Sequence, residues 1–543
     1  MKMPDRKITA VIIAIFLPGL QAFSDGAGAL IPQAAEAIPA AGSFTLSEDT
    51  IIVTADSCAE LGGYLRELLA PATGYTLEIN RKEDGGNPPG NSISLGLDSG
   101  IEGHGKEGYA LSVTENGVAI RAPAVAGIYN GIQTLRQLLP PAIESSQPVP
   151  EGQWEIPCVA IKDRPRFEWR GLMIDCSRTF WSKEYLKRII RLMSLYKMNR
   201  LHLHLTDDQG WRLEIKKYPR LTEYGARFPE KYKEPEERQG YYTQEDMRDI
   251  VAYAQRHNVV VVPEIEMPGH ALAALACFPE LSCTGGPFEI HPFFKGPTIH
   301  KDIFCAGNEQ TLVFIEDVLA EVVEIFPSDF IHVGGDEAPK DRWKECPKCQ
   351  ARLKSEDLAD EHELQSWLIK RVGAFLGLRG KRMIGWQEIM DGGLAPGAAV
   401  MSWRGTYGGM TAARMGRDAV MSPKTYCYFD YTYKRISTMK AYSFDPVPGQ
   451  LDEGQSRHIL GAQANFWSHM ARTEAKADKQ LFPRLLSIAE IGWVDAGRDP
   501  DGFRRRVNRH IERLKLLDVE CYDDPSLAEQ KFLVLEKDEI QDR

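Results

Sequence analysis

Eight short apolar runs, separated by stretches of helical periodicity, constrain the fold of this chain more than any other feature. The runs are 171–175, 200–205, 259–263, 330–333, 382–386, 399–403, 419–422 and 459–464. Helical periodicity fills many of the gaps, for example at 185–196 and 311–325. Strand followed by helix, repeated eight times over roughly 350 residues, predicts a (β/α)8 TIM barrel at 165–520. The alternative is a doubly wound open sheet, which lacks the support of a glycine-rich phosphate loop.

A second domain is expected because the chain has 543 residues, and single hydrophobic cores stop growing near roughly 250–300 residues. Short strand-like runs such as 50–54 and 118–121 alternate with helical stretches between residues 43 and 160. This alternation predicts a small α/β accessory domain before the barrel. Residues 521–543 are charged and carry no readable motif, so they are interpreted as a C-terminal tail.

The first 29 residues have the pattern of a secretory signal peptide. Lys2, Arg6 and Lys7 precede the apolar run 8–17, and small residues follow it. A membrane anchor is the alternative, but the run is short for a span of roughly 20 residues, and no other segment is long and apolar enough to cross a bilayer. We therefore expect an exported protein, periplasmic or secreted, whose mature chain has no membrane span. The lack of an Asn-x-Ser/Thr sequon fits a bacterial source.

The charge and the cysteines set expectations for partners. A net charge of −11 argues against nucleic-acid binding, because no basic excess is available to neutralise phosphates. Ten cysteines in an exported chain permit disulfides, and Cys283 and Cys305 are a plausible pair. Cys346 and Cys349 have the spacing of a zinc ligand pair, but a zinc site needs about four ligands and no second such pair follows. A local disulfide or free thiols are therefore favoured there, and no metal or cofactor is expected.

Carboxylates, histidines and aromatic residues follow the ends of the predicted strands. They include Arg178, Asp207, His270, Asp336, Glu337, Trp386, Trp403, Tyr428, Asp430 and Trp467. Catalytic groups of TIM barrels gather at the C-terminal ends of the strands, so one shared site explains all of these residues. His202 and His204 lie on the second strand, and one of them is expected to pack inside. A metal site built from the histidines and aspartates is the alternative.

The adjacent carboxylates Asp336 and Glu337 need a special backbone path. Consecutive side chains of a strand point to opposite faces, so both face one pocket only if the strand ends there. Gly334 and Gly335 make such a change of path cheap. Adjacent carboxyl groups are poorly placed to flank a sugar ring from both sides, as glycosidases generally require. We therefore expect one carboxyl group to act as an acid and the other to hold part of the substrate.

These motifs resemble glycoside hydrolase family 20, the β-N-acetylhexosaminidases. His332-x-Gly334-Gly335-Asp336-Glu337 is similar to that family's signature. The resemblance also covers 161–178, 202–211, 263–270, 385–386 and 482–484, and the accessory-domain segment 127–139. It implies a TIM-barrel exo-glycosidase that removes terminal β-linked N-acetylglucosamine or N-acetylgalactosamine from glycans, with no cofactor.

The resemblance implies substrate-assisted, retaining catalysis. The acetamido oxygen of the sugar would attack C1 and form an oxazolinium ion. Glu337 would protonate the leaving oxygen and later deprotonate water, while Asp336 would orient the acetamido group and Tyr428 would donate to its oxygen. Asp207 and His270 would form a dyad that holds Glu337 in place and keeps its pKa high.

The remaining site residues would bind the sugar. Trp386, Trp403 and Trp467 would enclose the acetyl methyl group and the sugar face, Arg178 would donate to the 3- and 4-hydroxyls, and Asp430 would accept from a hydroxyl at the far rim.

Two positions depart from the family pattern. His469 occupies a position where the family usually has Glu, so altered selectivity for an anionic or extended 6-substituent is one interpretation, and a neutral exchange is the other. Glu266 stands where Asp is common, and little effect is expected. Release of a modified hexosamine or a disaccharide is therefore an alternative function, as is a non-catalytic glycan-binding relative.

Overall fold

The computed structural model describes residues 27–81, 89–101, 103–150, 152–292 and 298–528. The predicted signal peptide at 1–29 lies outside the described residues except for Ala27–Ala29, which form a short 3-10 turn, so export stays a prediction. Residues 529–543 of the predicted tail also lie outside them. Within the described part of the chain, no helix has the length and apolar character needed to span a bilayer.

The secondary structure changes from a mixed α/β pattern to regular strand–helix alternation near residue 165. The strands are β1 (Glu36–Thr45), β2 (Ile51–Thr54), β3 (Ile79–Arg81), β4 (Ser92–Leu97), β5 (Tyr109–Thr114), β6 (Gly117–Ala122), β7 (Glu155–Asp163), β8 (Trp169–Asp175), β9 (Arg200–His204), β10 (Thr206–Asp207), β11 (Gly210–Trp211), β12 (Val260–Met267), β13 (Phe330–Gly334), β14 (Arg382–Trp386), β15 (Ala399–Ser402), β16 (Ala419–Met421) and β17 (Ile459–Phe466). The α-helices are α1 (Ala59–Thr73), α2 (Val125–Leu138), α3 (Lys183–Leu195), α4 (Arg220–Glu223), α5 (Gln244–Arg256), α6 (Leu272–Cys277), α7 (Glu309–Ile325), α8 (Asp341–Glu345), α9 (Pro347–Ser355), α10 (Glu361–Gly377), α11 (Tyr407–Arg414), α12 (Thr438–Tyr442), α13 (Glu453–Ser456), α14 (Glu474–Leu481), α15 (Leu485–Trp493) and α16 (Pro500–Leu516).

Eight parallel strands close into a barrel, which confirms the predicted fold. The order around the barrel is β8, β9 and then β12 to β17, with β17 pairing back onto β8. Each of the eight apolar runs coincides with one of these strands. The runs are almost continuously apolar because the interior filling covers one face of each strand and the helices cover the other.

Large side chains fill the interior of the barrel, while amphipathic helices cover its outside. Trp169, Phe330, Ile384 and Met401 belong to the interior cluster. On the outside, α3 buries Leu186, Ile189, Ile190 and Met193, whose spacing of three and four residues places them on one face. The barrel is thus a packed core whose chemistry is confined to the strand ends.

The N-terminal domain is a seven-stranded mixed sheet with the order β1-β7-β5-β6-β4-β2-β3. Strands β2, β3, β4 and β6 pair in parallel, while β1, β7, β5 and β6 form antiparallel pairs. Helix α2 packs on this sheet through a buried face that includes Ile128, Ile132 and Leu135. The predicted accessory α/β domain is therefore present.

The two domains share a polar contact that is buried. Trp493, from the barrel helix α15, belongs to the hydrophobic core of the N-terminal domain. Its indole nitrogen donates to Asp163 Oδ1 at 2.9 Å. Asp163 Oδ2 also pairs with Lys197 Nζ at 3.1 Å and accepts from the Tyr109 hydroxyl at 2.7 Å. All four residues are buried, so these hydrogen bonds and the ion pair connect the sheet to the barrel away from solvent.

Candidate active site

All eleven predicted site residues lie at or just after the C-terminal ends of barrel strands. Arg178 follows β8, Asp207 follows β9, His270 follows β12, Asp336 and Glu337 follow β13, Trp386 ends β14, Trp403 follows β15, Tyr428 and Asp430 follow β16, and Trp467 and His469 follow β17. Because the strands are parallel, these positions share one face of the barrel.

The end of β13 turns both carboxylates toward the same side. Gly334 and Gly335 have φ angles of +66° and +99°, and Glu337 itself has a φ of +46°. The buried Glu266 carboxylate holds this turn, because its Oε1 accepts from the Gly335 amide at 2.9 Å and from the Met267 amide at 3.2 Å. The strand path therefore changes where the sequence predicted it.

His270 connects two pairs of carboxylates. Its Nδ1 lies 3.3 Å from Asp207 Oδ1 and 3.3 Å from Asp208 Oδ2. Its Nε2 lies 3.6 Å from Glu337 Oε2 and 4.0 Å from Asp336 Oδ2. His270 has a φ of +48°, a left-handed conformation that costs an ordinary residue roughly 1–2 kcal/mol. Glu337 is in the same region, so the structure holds the two interacting residues in uncommon backbone geometry.

The charge of His270 sets the ionisation of its neighbours. Burial is the largest single effect and opposes the imidazolium, but Asp207, Asp208 and Glu337 together outweigh it and raise the pKa of His270 well above its usual range. The interaction with His270, which is stronger than the opposing effect of burial, lowers the pKa of Glu337. Burial raises the pKa of Asp336 to about 7, against the attraction of His270. The expectation that the dyad keeps the pKa of Glu337 high is wrong for the substrate-free site, since the nearest charge is positive.

Three of the predicted site residues have a polar atom that is buried without a hydrogen-bond partner among the described residues: Asp336 Oδ1, Asp430 Oδ1 and Arg178 Nε. Arg178 is held by Asp207 and by Asp175, whose Oδ2 is 3.3 Å from Nη1. Burial raises the pKa of Asp430 to about 7. Buried polar atoms are almost always paired, so these groups are suited to bind a polar ligand.

Aromatic rings form the rest of the site. Trp386 is buried, and its indole nitrogen donates to Glu264 Oε1 at 2.8 Å. The Trp467 ring lies 5.9 Å from the Trp386 ring, and the Arg178 guanidinium lies 4.8 Å above Trp467. The Tyr428 ring is stacked 6.1 Å from Trp403. Small-molecule binding sites typically combine aromatic side chains with a few polar groups, and this site has both.

His469 lies at the edge of this group. Burial lowers the pKa of its imidazole, and so does the positive charge of Arg178, whereas Asp175 acts in the opposite sense. His469 is therefore neutral near pH 7.

A network of histidines lies beneath the site. Glu264 is 3.1 Å from His202 Nε2 and 2.9 Å from His332 Nδ1, and it also bonds His204. The expectation that only one of His202 and His204 packs inside is wrong, because side chains two residues apart share one face of a strand. Glu264 therefore lies close to all three histidines, while His202 Nε2 and His332 Nε2 form no hydrogen bond among the described residues.

Two residues of the site were missed by the sequence analysis, Glu388 and Arg404. Glu388 Oε2 accepts from the Trp403 indole at 2.9 Å, and its Oε1 lies 2.8 Å from Arg404 Nη2. Glu388 is also one of the charges that raise the pKa of Asp336. The sequence does contain a signal for them, because Glu388 lies two residues after Trp386 and Arg404 directly follows Trp403.

Comparisons with known proteins identify a family model and several relatives that match this chain. Residues 167–496 match the model described as glycosyl hydrolase family 20, catalytic domain, and residues 27–164 match domain 2 of the same family. The chain is 42% identical over 502 residues to a β-hexosaminidase of Porphyromonas gingivalis, a match that covers 90% of this chain and 63% of that protein. It is 30% identical over 490 residues to a β-N-acetylhexosaminidase of Cellulomonas fimi, covering 86% of this chain and 90% of the relative.

Solved structures show the same architecture. The family 20 β-N-acetylhexosaminidase of Streptomyces coelicolor superposes with a TM-score of 0.80 at 33% identity, covering 92% of this chain and 98% of that one. A mutant β-hexosaminidase of Streptomyces plicatus in complex with its product, GlcNAc, superposes with a TM-score of 0.80 at 32% identity, covering 92% and 97% of the two chains.

The turn after β13 generates a stability prediction. A Cβ at Gly334 would overlap the Glu266 carboxylate, in addition to the strain at a φ of +66°. Gly416 has a nearly identical φ of +65°, but the nearest atom to a Cβ there is 3.9 Å away. We expect Gly416→Ala to cost about 1–2 kcal/mol and Gly334→Ala to cost about 2 kcal/mol more, because Glu266 must leave its two amide donors. Urea unfolding of both variants measures the difference, and equal losses would contradict this account of the turn.

Proposed function

The chain belongs to glycosyl hydrolase family 20, and on that basis we propose that it is an exo-acting, retaining β-N-acetylhexosaminidase that uses the acetamido group of its substrate as the nucleophile. The observation that carries the proposal is the proximity of Asp336 and Glu337. Oxygens of both carboxyl groups and a nitrogen of His270 lie within 4.8 Å of one another. Inverting glycosidases need about 6.5–9.5 Å between their two carboxyl groups. Retaining enzymes with a protein nucleophile need about 5–5.5 Å, with the two groups on opposite sides of the bond. Neighbouring carboxyl groups on one side of the site fit neither arrangement, which leaves the acetamido group of the substrate as the nucleophile.

In the first step, the acetamido oxygen attacks C1 as the bond from C1 to the leaving oxygen breaks. Glu337 gives its proton to that oxygen, and Asp336 accepts from the acetamido N–H and stabilises the positive charge of the oxazolinium ion. Tyr428 donates to the acetamido oxygen. In the second step, Glu337 takes a proton from water as the water attacks C1. Two inversions retain the β configuration.

The binding residues suit a single terminal sugar. Arg178 is fixed by Asp175 and Asp207, which orients its guanidinium to donate to the 3- and 4-hydroxyls. Asp430, with an unpaired Oδ1, accepts from a hydroxyl at the rim. The rings of Trp386, Trp403 and Trp467 enclose the acetyl methyl group and the sugar face.

The reaction needs the opposite protonation from that of the substrate-free site. Glu337 must carry a proton although His270 lowers its pKa. Asp336 must be ionised although burial raises its pKa to about 7. A bound sugar favours both changes, because it excludes water from the half-exposed Glu337 and gives Asp336 an N–H donor. In the free enzyme the active form is a minor species whose population is greatest between the two pKa values, so we propose an acidic pH optimum.

Glu337→Gln tests the acid. Hydrolysis of substrates with poor leaving groups should fall by at least roughly 10²-fold, and an activated aryl β-N-acetylglucosaminide should suffer less. The residual rate then depends on Asp336 alone. Ionised Asp336 is present above its pKa of about 7 and is lost as pH falls through it, so kcat/KM of the variant should rise with pH and level off, while the wild type declines. Parallel pH profiles would contradict the assignment.

Asp336→Asn tests participation of the acetamido group. A thiazoline analogue of the oxazolinium ion should bind the wild type far more tightly than substrate does, and Asp336→Asn should weaken it by roughly 10²-fold or more. Inhibition constants measure both effects, with the corresponding β-glucoside, which lacks the amide, as a substrate that is not cleaved. Weak binding of the analogue to the wild type would favour a protein nucleophile instead.

His469 supports a narrower proposal, that the enzyme tolerates an anionic substituent at O6. A neutral imidazole replaces a carboxylate at this position, so a sulfate there meets no like charge. We expect His469→Glu to lower kcat/KM for a 6-O-sulfated substrate relative to its unsulfated counterpart by roughly tenfold, the effect of about 1.4 kcal/mol. His469→Gln is the neutral control and should keep the wild-type ratio. If His469→Glu leaves the ratio of kcat/KM for the sulfated and unsulfated substrates unchanged, His469 does not determine tolerance of an O6 substituent.

A further inference from the structure

Four cysteines from three segments of the chain meet in the loops that follow strands β12 and β13. Cys349 Sγ lies 3.7 Å from Cys283 Sγ and 3.5 Å from Cys305 Sγ, and Cys305 Sγ lies 3.7 Å from Cys346 Sγ. All four sulfurs lie within 4.8 Å of one another. None of them is disulfide-bonded, so the predicted Cys283–Cys305 disulfide is not formed.

The distances fit a tetrahedron better than they fit two disulfides. Sulfurs that are bound about 2.3 Å from one tetrahedral zinc ion lie about 3.8 Å from each other, whereas a disulfide requires about 2.05 Å. The three separations between 3.5 and 3.7 Å are close to the tetrahedral edge. Cys305 also contacts two other sulfurs, and a disulfide would use only one of them.

The backbone around the sulfurs is arranged for thiolates. The Gly307 amide donates to the sulfurs of Cys305 and Cys349. A Cβ at Gly307 would overlap the backbone of Lys348 and Cys349, so only glycine permits this close approach. Cys346 is the N-cap of the nine-residue helix α9, and Cys349 lies in the first turn. The positive end of a helix dipole stabilises negative sulfur there.

We propose that Cys283, Cys305, Cys346 and Cys349 bind one Zn²⁺ as a closed tetrathiolate site. Four thiols lose their protons as four Zn–S bonds form. All four positions are then filled by protein, so no site is left for water or substrate, and the ion is structural. This inference is independent of the proposed reaction.

The site joins two loops that carry catalytic groups. Cys283 and Cys305 lie between β12 and α7, downstream of His270, while Cys346 and Cys349 lie after β13, downstream of Glu337. An ion pair of 2.9 Å between Arg342 Nε and Asp302 Oδ1 supports the same junction. The zinc ion fixes the base of the 283–305 loop against the segment after Glu337, so it stabilises the relative position of the third and fourth strand ends.

The ligand pattern explains why the sequence argued against zinc. Cys346 and Cys349 have the usual pair spacing, but their partners precede them, and these partners are separated from each other by a long loop. Only the fold brings the two pairs together.

Metal and thiol analysis of the full chain tests the proposal. Protein made without a polyhistidine tag should contain one zinc ion per chain by inductively coupled plasma mass spectrometry. After unfolding with a chelator, all ten cysteines should react as free thiols. Four fewer thiols without zinc would mean two disulfides, and all ten thiols without metal would mean an unoccupied cluster. Either result, or iron in place of zinc, overturns the proposal.

Substitutions localise the ion. Cys349→Ser should lose the zinc and lower Tm, whereas Cys277→Ser should keep both. Cys277 is a buried cysteine outside the cluster that donates to the Arg220 carbonyl at 3.3 Å, a bond that serine can also make. If Cys349→Ser does not fold, wild-type protein reconstituted with Co²⁺ provides the readout, since four thiolates around cobalt give intense near-ultraviolet charge-transfer absorption. A spectrum without that absorption contradicts tetrathiolate binding.

Discussion

The buried His270 side chain, placed between two pairs of acidic groups, is the interaction on which the site depends. Asp207 and Asp208 contact one ring nitrogen, and Asp336 and Glu337 lie near the other. Buried charges are costly unless they are paired, so a cation at this point allows several carboxylates to share a small volume. It also divides their roles, because it lowers the pKa of Glu337 while burial raises that of Asp336.

Backbone geometry brings these groups together. Side chains on neighbouring residues of a regular strand diverge, and the turn at Gly334 and Gly335 removes that divergence. Glu266 stabilises the turn from below by accepting two amide hydrogens. Glu266 has one methylene more than the Asp that is common at this position, and its longer side chain reaches the amides at the end of the strand.

Local features of the chain were predictable, and features that depend on contact between distant segments were not. The eight strands were predictable as apolar runs because both faces of each strand are covered. The turn that carries the two carboxylates was predictable because Gly334, Gly335, Asp336 and Glu337 are consecutive in the sequence. The effect of His270 on the pKa of Glu337 was misjudged, since it depends on which charge lies nearest. The same limit applies to Glu388, which acts on Asp336 from another strand end, and to the two cysteine pairs. The orientation of His202 and His204 was available from strand periodicity and was misjudged.

Trp493, Asp163 and Lys197 are buried together between the two domains, so neither domain is complete without the other. A barrel produced alone would expose an indole that belongs to the other domain's core and would deprive Lys197, which is buried in the intact chain, of its carboxylate partner. The smaller domain thus acts as part of the folding unit of the barrel. It is unsuited to exchange as an independent substrate-binding module, and the shared contacts indicate that truncation at residue 165 destabilises the barrel.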